Sequence, residues 1–235
     1  MDLPRGCPHA ANAALLAEGT VAEVVLPDGV PGMAVLGHEA LKELIGHPDV
    51  AKNARHFTAL REERIPDGWP LRTFATVAGM VTSDGEDHRR LRSLTGKALT
   101  ARRVKALRPR VERLTAGPLD MLRSGEADWA DAVEETLRWD SPVSFFPFRY
   151  PPRDVTVDGT LIPRGTPVPA GFSAAGRDPA AYGPDADRFD VTRAGRGGRG
   201  DRGGRGHFTT RHLSLGHGTH YAWAHHWRGW RRRSR

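Results

Sequence analysis

The chain has 235 residues, 35 Lys and Arg against 28 Asp and Glu, a formal charge of +7, a pI near 10.3 and a mean hydropathy of −0.51. A hydrophobic content of 38% excludes wholesale disorder and allows only a thin core. One cysteine, Cys7, excludes an internal disulfide and a Cys-based zinc site, and no apolar run approaches the roughly 20 residues that span a bilayer. The charge is uneven: residues 194–235 hold ten Arg and one acid, Asp201, for a net +9, which leaves residues 1–193 at −2. The stretch Met1-Asp-Leu-Pro-Arg5 lacks a signal-peptide layout, so the expected location is cytoplasmic, with no membrane partner.

In chain order, residues 20–36 read as two apolar strands joined at Pro27-Asp28-Gly29. Residues 37–45 have helical spacing, stopped by Gly46 and Pro48, and a long loop runs through Ile65-Pro66-Asp67-Gly68. A helix is expected from Ser83, where Leu91, Leu94 and Leu99 recur among His88, Arg89, Arg90 and Arg92. A second covers residues 101–122, restarted at Pro109 and broken at Gly117-Pro118. Residues 128–139 form a further helix, and residues 154–162 a hairpin turning at Asp158-Gly159. Residues 170–193 read as loop, and the Gly/Arg run 195–206 has nothing with which to bury a face. The expected class is mainly α with a small β portion (α+β), divided into residues 1–126, 127–193, the 194–206 insert and 207–235.

Three patterns carry chemistry. His88 and Arg92, one helical turn apart, share a face suited to clamping a carboxylate. Glu135 and Arg138, three apart, are placed to pair. Leu215-Gly216-His217-Gly218-Thr219-His220-Tyr221 is a Gly-rich loop that lets backbone approach a flat ligand.

The ordered set Asp84-Gly-Glu-Asp-His-Arg-Arg-Leu-Arg92, Ala132-Val-Glu-Glu-Thr-Leu-Arg-Trp139, Asp187-Arg-Phe189 and Leu213-Ser-Leu-Gly-His-Gly-Thr-His-Tyr221 resembles the bacterial cytochrome P450 family, the haem-thiolate monooxygenases. The likeness covers residues 7–123, 127–193 and 211–221. It implies heme as cofactor, with His88, Arg92, Arg149 and His220 gripping propionate and Gly216 and Gly218 shaping the haem loop. It implies a structural network of Glu135, Arg138 and Arg188, a small organic substrate that receives one oxygen atom from O2, and a ferredoxin-type electron donor.

The departures from the family pattern are as informative. The thiolate position is Ala222, so no catalytic residue is assigned, and Cys7 lies where the family places no ligand. The chain passes from Glu126 almost directly to the Glu135 helix, omitting the central helices and the acid-alcohol pair above the haem. The expectation is a partial P450 fold lacking those helices: an internally deleted pseudoenzyme.

The run Ala222-Trp-Ala-His-His-Trp-Arg-Gly-Trp230 has a specific explanation. The family's usual continuation, Cys-Leu-Gly-Ala-Pro-Leu-Ala-Arg-Leu-Glu, written in GC-rich codons and read one base later, gives that run at every position. A frameshift after Tyr221 therefore accounts for the tail. Two alternatives rank below this reading. One is nucleic-acid binding by the Gly/Arg segment and the Trp/Arg tail, through phosphate contacts and stacking. The other is metal binding by His217, His220, His225 and His226.

Overall fold

The computed structural model describes residues 8–98, 129–145, 147–191, 193 and 212–217. Strands β1 (Val21–Leu26) and β2 (Val30–Val35) pair antiparallel, Val21 opposite Val35 and Leu26 opposite Val30. The three-residue turn at Pro27–Gly29 fits because Asp28 and Gly29 both take positive φ, which Asp tolerates and Gly favours.

β2 is buried on both faces except at Pro31, since it also lies against residues 167–170. Met33 N donates to Pro167 O (3.2 Å) and Gly171 N to Val35 O (2.8 Å). The layer then continues outward: Arg149 and Val168 exchange both backbone bonds at 2.9 Å, and Tyr150 and Ala51 exchange theirs at 2.7 and 3.1 Å. Thus a segment near residue 51 is stitched beside residues 149–150 by backbone alone.

Helix α1 (Pro8–Glu18) packs beside this layer and was not legible in the sequence, where its alanine-rich stretch carries little amphipathic contrast. Helix α2 (His38–Gly46) buries Ala40, Leu41 and Leu44 against Val35, Val168 and Ala170. Short helices α3 (Thr58–Arg61) and α4 (Arg72–Thr76) bracket a second cluster in which Phe57 stacks on Tyr150 beside Trp69. Burying such aromatic groups contributes about 1.5–3 kcal/mol each before entropy is counted.

Helix α5 (Gly85–Ala98) matches the expected helix from Ser83, and α6 (Trp129–Trp139) the expected 128–139 helix. Strands β3 (Val155–Val157) and β4 (Thr160–Ile162) form the second hairpin, with Asp158 (φ 46°) and Gly159 (φ 75°) both left-handed. Residues 170–193, read as loop, contain two single-turn helices, α7 (Phe172–Ala175) and α8 (Pro179–Tyr182). The expected helix over residues 101–122 lies outside the described residues.

The described part is mixed helix with small sheets, in keeping with the expected class. Phe74, Val81 and Leu94, on the α4–α5 side, and Val133 on α6 are large apolar side chains left exposed. Among the described residues no helix is long and apolar enough to cross a membrane.

Candidate functional site

Glu135 and Arg138 lie one turn apart on the buried face of α6. Arg138 Nε and Nη2 donate to the two Glu135 oxygens at 2.8 and 2.7 Å, a fork-to-fork pair. Its Nη1 donates to Gly176 O (2.6 Å) and Ala186 O (2.7 Å), and Nη2 also to Arg188 O (2.9 Å). All five N–H groups of the guanidinium are used. Gly176 makes this possible: a Cβ there would sit 2.1 Å from the Arg138 carbonyl oxygen.

The second arginine of the network is not the one expected. Arg188 points its side chain to solvent and contributes only its carbonyl, whereas Arg193 donates Nε to Glu135 (3.2 Å). Arg193 also binds Asp185 through Oδ1 (2.9 Å) and O (2.8 Å), and reaches Tyr182 O (3.1 Å) and Arg188 O (3.2 Å). Local geometry decides this: the turn through residues 186–190 spends its carbonyls on Arg138, and Asp190 N donates to Glu135 (2.9 Å), so the chain reverses and Arg193 returns toward the acid.

Burial would push the Glu135 carboxyl up. The hydrogen bonds from Arg138, Asp190 N–H and Arg193, with the Arg138 charge, outweigh it and hold the carboxyl below its usual range. For Arg193, burial lowers the guanidinium pKa, but Asp185 and Glu135 raise it further, for a net rise. The cluster is therefore complete within itself.

A second cluster has the opposite balance. Arg149 (4% exposed), His88 (5%) and Lys52 (7%) are buried together, with Arg92 one turn beyond His88 on α5. Arg149 Nη1 donates to Pro147 O (2.6 Å) and weakly to Phe148 O (3.4 Å); its Nε and Nη2 make no hydrogen bond among the described residues. The carboxylate that faces the group is Asp84, and it accepts from the backbone N–H groups of Lys52 (3.0 Å to both oxygens) and Asn53 (2.9 Å).

Burial, then the Lys52 and Arg92 charges, lower the His88 pKa, with Asp84 opposing. Burial pulls Arg149 down to about 10, with Asp84 opposing. Burial, Arg149 and Arg92 pull Lys52 down to about 6, with Asp84 opposing. Lys52 was missed by sequence reasoning, because nothing local marks it as buried.

The structure thus places His88, Arg92 and Arg149 around Lys52. Gly216 (φ 83°) donates its N–H to Leu213 O at 2.7 Å in the haem-loop segment. Gly218, His220 and Ala222 lie outside the described residues. Of the four histidines considered for metal, only His217 is described, and it is exposed.

The donor set fits one part of a haem and not the other. Buried basic groups, Arg149 and Lys52, beside a carboxylate occupied by backbone suit propionates. The alanine at position 222 has no lone pair to offer iron.

The cytochrome P450 family model matches residues 130–194. The 2-hydroxy-5-methyl-1-naphthoate 7-hydroxylase of Streptomyces carzinostaticus is 23% identical over 350 aligned positions, which cover 91% of this chain and 82% of the relative. The 235 residues here cannot fill 350 positions, so the alignment opens long gaps in this chain. The cytochrome P450 monooxygenase PikC of Streptomyces venezuelae is 32% identical over 140 residues, covering 58% of this chain but 31% of PikC.

Among solved structures, CYP154A1 from Streptomyces coelicolor superposes with a TM-score of 0.75 at 24% identity, covering 96% of this chain and 87% of that one, a likeness that shows the fold. The chain is thus similar to the cytochrome P450 family in its matched stretch and in its fold, and the relatives named here are bacterial. The family uses heme. None of these matches supports the nucleic-acid alternative, whose Gly/Arg segment lies outside the described residues.

Proposed function

We propose that this chain is a P450 monooxygenase derivative that keeps the carboxylate-gripping side of the haem site and, as written, lacks the parts that perform the oxidation. The observation that carries this is the buried pair Arg149 and Lys52, with His88 and the half-buried Arg92 beside Lys52, next to an Asp84 carboxylate that accepts from backbone N–H groups. Ala222 stands where the family's thiolate belongs, and the gaps in the alignment to the naphthoate hydroxylase accord with an internal deletion before Glu135. The complete family activity is insertion of one oxygen atom from O2 into a small organic substrate. A ferredoxin-type donor and a cytoplasmic location belong to that parent activity.

The residues present divide the work. Arg149 and His88 hold carboxylate charge out of water, Arg92 completes the clamp from α5, and the Glu135 network fixes the segment that leads toward the haem loop. The thiolate would supply electron push to the iron, and Ala222 at its position carries no group that could. The run 222–230 is a neighbouring-frame reading of the family's helix, so this part of the basic tail has no selected partner.

Hemin and metal-free protoporphyrin IX separate these parts. If only the carboxylates are gripped, the two bind with affinities within about tenfold of each other, since no iron bond adds to one of them. A far larger preference for hemin would show an iron ligand and contradict the proposal. Resequencing the DNA around the Tyr221 codon tests the tail: the neighbouring frame should read Cys-Leu-Gly, and its absence rules out the frameshift.

A further inference from the structure

The antiparallel bridge between Ala51 and Tyr150 fixes what comes next in register. One residue along, Lys52 stands opposite Arg149, and directly opposed residues of an antiparallel pair project to the same face. Like charges in that arrangement repel, and here both are nine-tenths buried. The face they share also receives His88 and Arg92 from α5, while Asp84 is occupied by the backbone of Lys52 and Asn53. Lys52 Nζ makes no hydrogen bond among the described residues. An amine on a residue this buried, beside a guanidinium, is costly in its charged form unless an anion arrives or the proton leaves.

We propose that Lys52 is a further carboxylate-binding residue of this site, opposite Arg149, and that it takes up a proton from solvent when a porphyrin propionate enters. The inference rests on the reading of the cluster as the propionate side of a haem site. The balance is simple: the neutral amine gains one proton from buffer, the resulting ammonium donates to the propionate, and no other bond forms or breaks.

The charged groups facing Lys52 set the direction. Arg149 from residues 149–150 and Arg92 from α5 disfavour the ammonium, and Asp84 favours it; His88 of α5, whose own pKa the Lys52 charge lowers, faces it as well. His56, on the neighbouring turn Ala54–His56, shares the field of Asp84. With the site empty, burial and the two arginines keep Lys52 neutral above about pH 6. An incoming carboxylate reverses that balance.

The test uses metal-free protoporphyrin IX, so that no iron bond enters, and its dimethyl ester, which lacks both carboxylates. Calorimetry of the full chain at about pH 8, in two buffers of different ionisation enthalpy, should show uptake of about one proton per protoporphyrin bound. Lys52→Met should abolish most of that uptake and weaken binding about tenfold or more. Lys52→Met should also raise the melting temperature of the porphyrin-free chain, because it removes a buried amine that lacks a partner. Lys52→Arg should restore affinity without proton uptake.

If protoporphyrin binds but Lys52→Met leaves affinity and proton uptake unchanged, Lys52 is not part of the site and the inference fails alone. If Lys52→Met lowers the melting temperature with no change in affinity, the lysine is structural and the inference fails in the same way. If the wild-type chain binds the diacid no better than the ester, the carboxylate reading of the whole cluster fails with it.

Discussion

The clusters around Glu135 and around Arg149 are both buried and both rich in arginine, yet they differ in what they require. At Glu135, two guanidinium groups meet two carboxylates, Glu135 and Asp185, and a ring of carbonyls, and each arginine has all five N–H groups engaged. At Arg149, the neighbouring Asp84 carboxylate is already committed to backbone, and two arginine nitrogens and the Lys52 amine make no hydrogen bond among the described residues. The first arrangement is self-sufficient and structural. The second is stable only at a cost, which is the signature of a place kept for a ligand.

The largest effect should come from breaking the complete cluster. Glu135→Ala leaves Arg138 buried without its carboxylate and should cost about 3–5 kcal/mol, read by urea unfolding. Retention of wild-type stability would mean that the network does not hold the fold. Acid should act in the same direction. The folded-state pKa of Glu135 is depressed, so its stabilising effect is fully present above the ordinary carboxylate range and is lost as pH falls through the lowered value. Glu135→Gln should flatten that part of a pH–stability profile.

A smaller effect separates the two candidate arginines. Arg193→Ala should cost about 1–3 kcal/mol, because Glu135 and Asp185 each lose a donor. Arg188→Ala should change stability by less than about 0.5 kcal/mol, because only its backbone carbonyl is used. Equal losses at both positions would restore the sequence expectation.

The incomplete cluster predicts the opposite pH trend. Lys52 has a folded pKa of about 6 against an ordinary 10.5, so the unfolded chain binds more protons between these values and stability rises with pH across that window. Lys52→Met should remove this slope, as measured by denaturant unfolding at several pH values. At the bottom of the scale, Glu62→Ala disrupts the exposed ion pair with Arg64 and should change stability by less than about 0.5 kcal/mol.

What could be read from the sequence follows the range of the forces involved. Asp158-Gly159 announces its hairpin because φ is a local property, and the spacing in residues 37–45 and 128–139 exposes their helices. Glu135 and Arg138 pair across one turn, so their spacing was sufficient. Arg193 replaced Arg188 because the winner depends on where a turn spends its carbonyls. Lys52 was invisible because its burial comes from pairing with residues almost a hundred positions away. Helix α1 and the single turns α7 and α8 carry too little periodicity to stand out.

The central claim is that the chain retains the carboxylate grip of a P450 without the iron thiolate. The most direct measurement is the absorption spectrum of the hemin-loaded chain, reduced under carbon monoxide. The account predicts no thiolate-type, red-shifted Soret band. Appearance of that band, with one band equivalent per hemin bound, would show that a sulfur ligand reaches the iron and would contradict it.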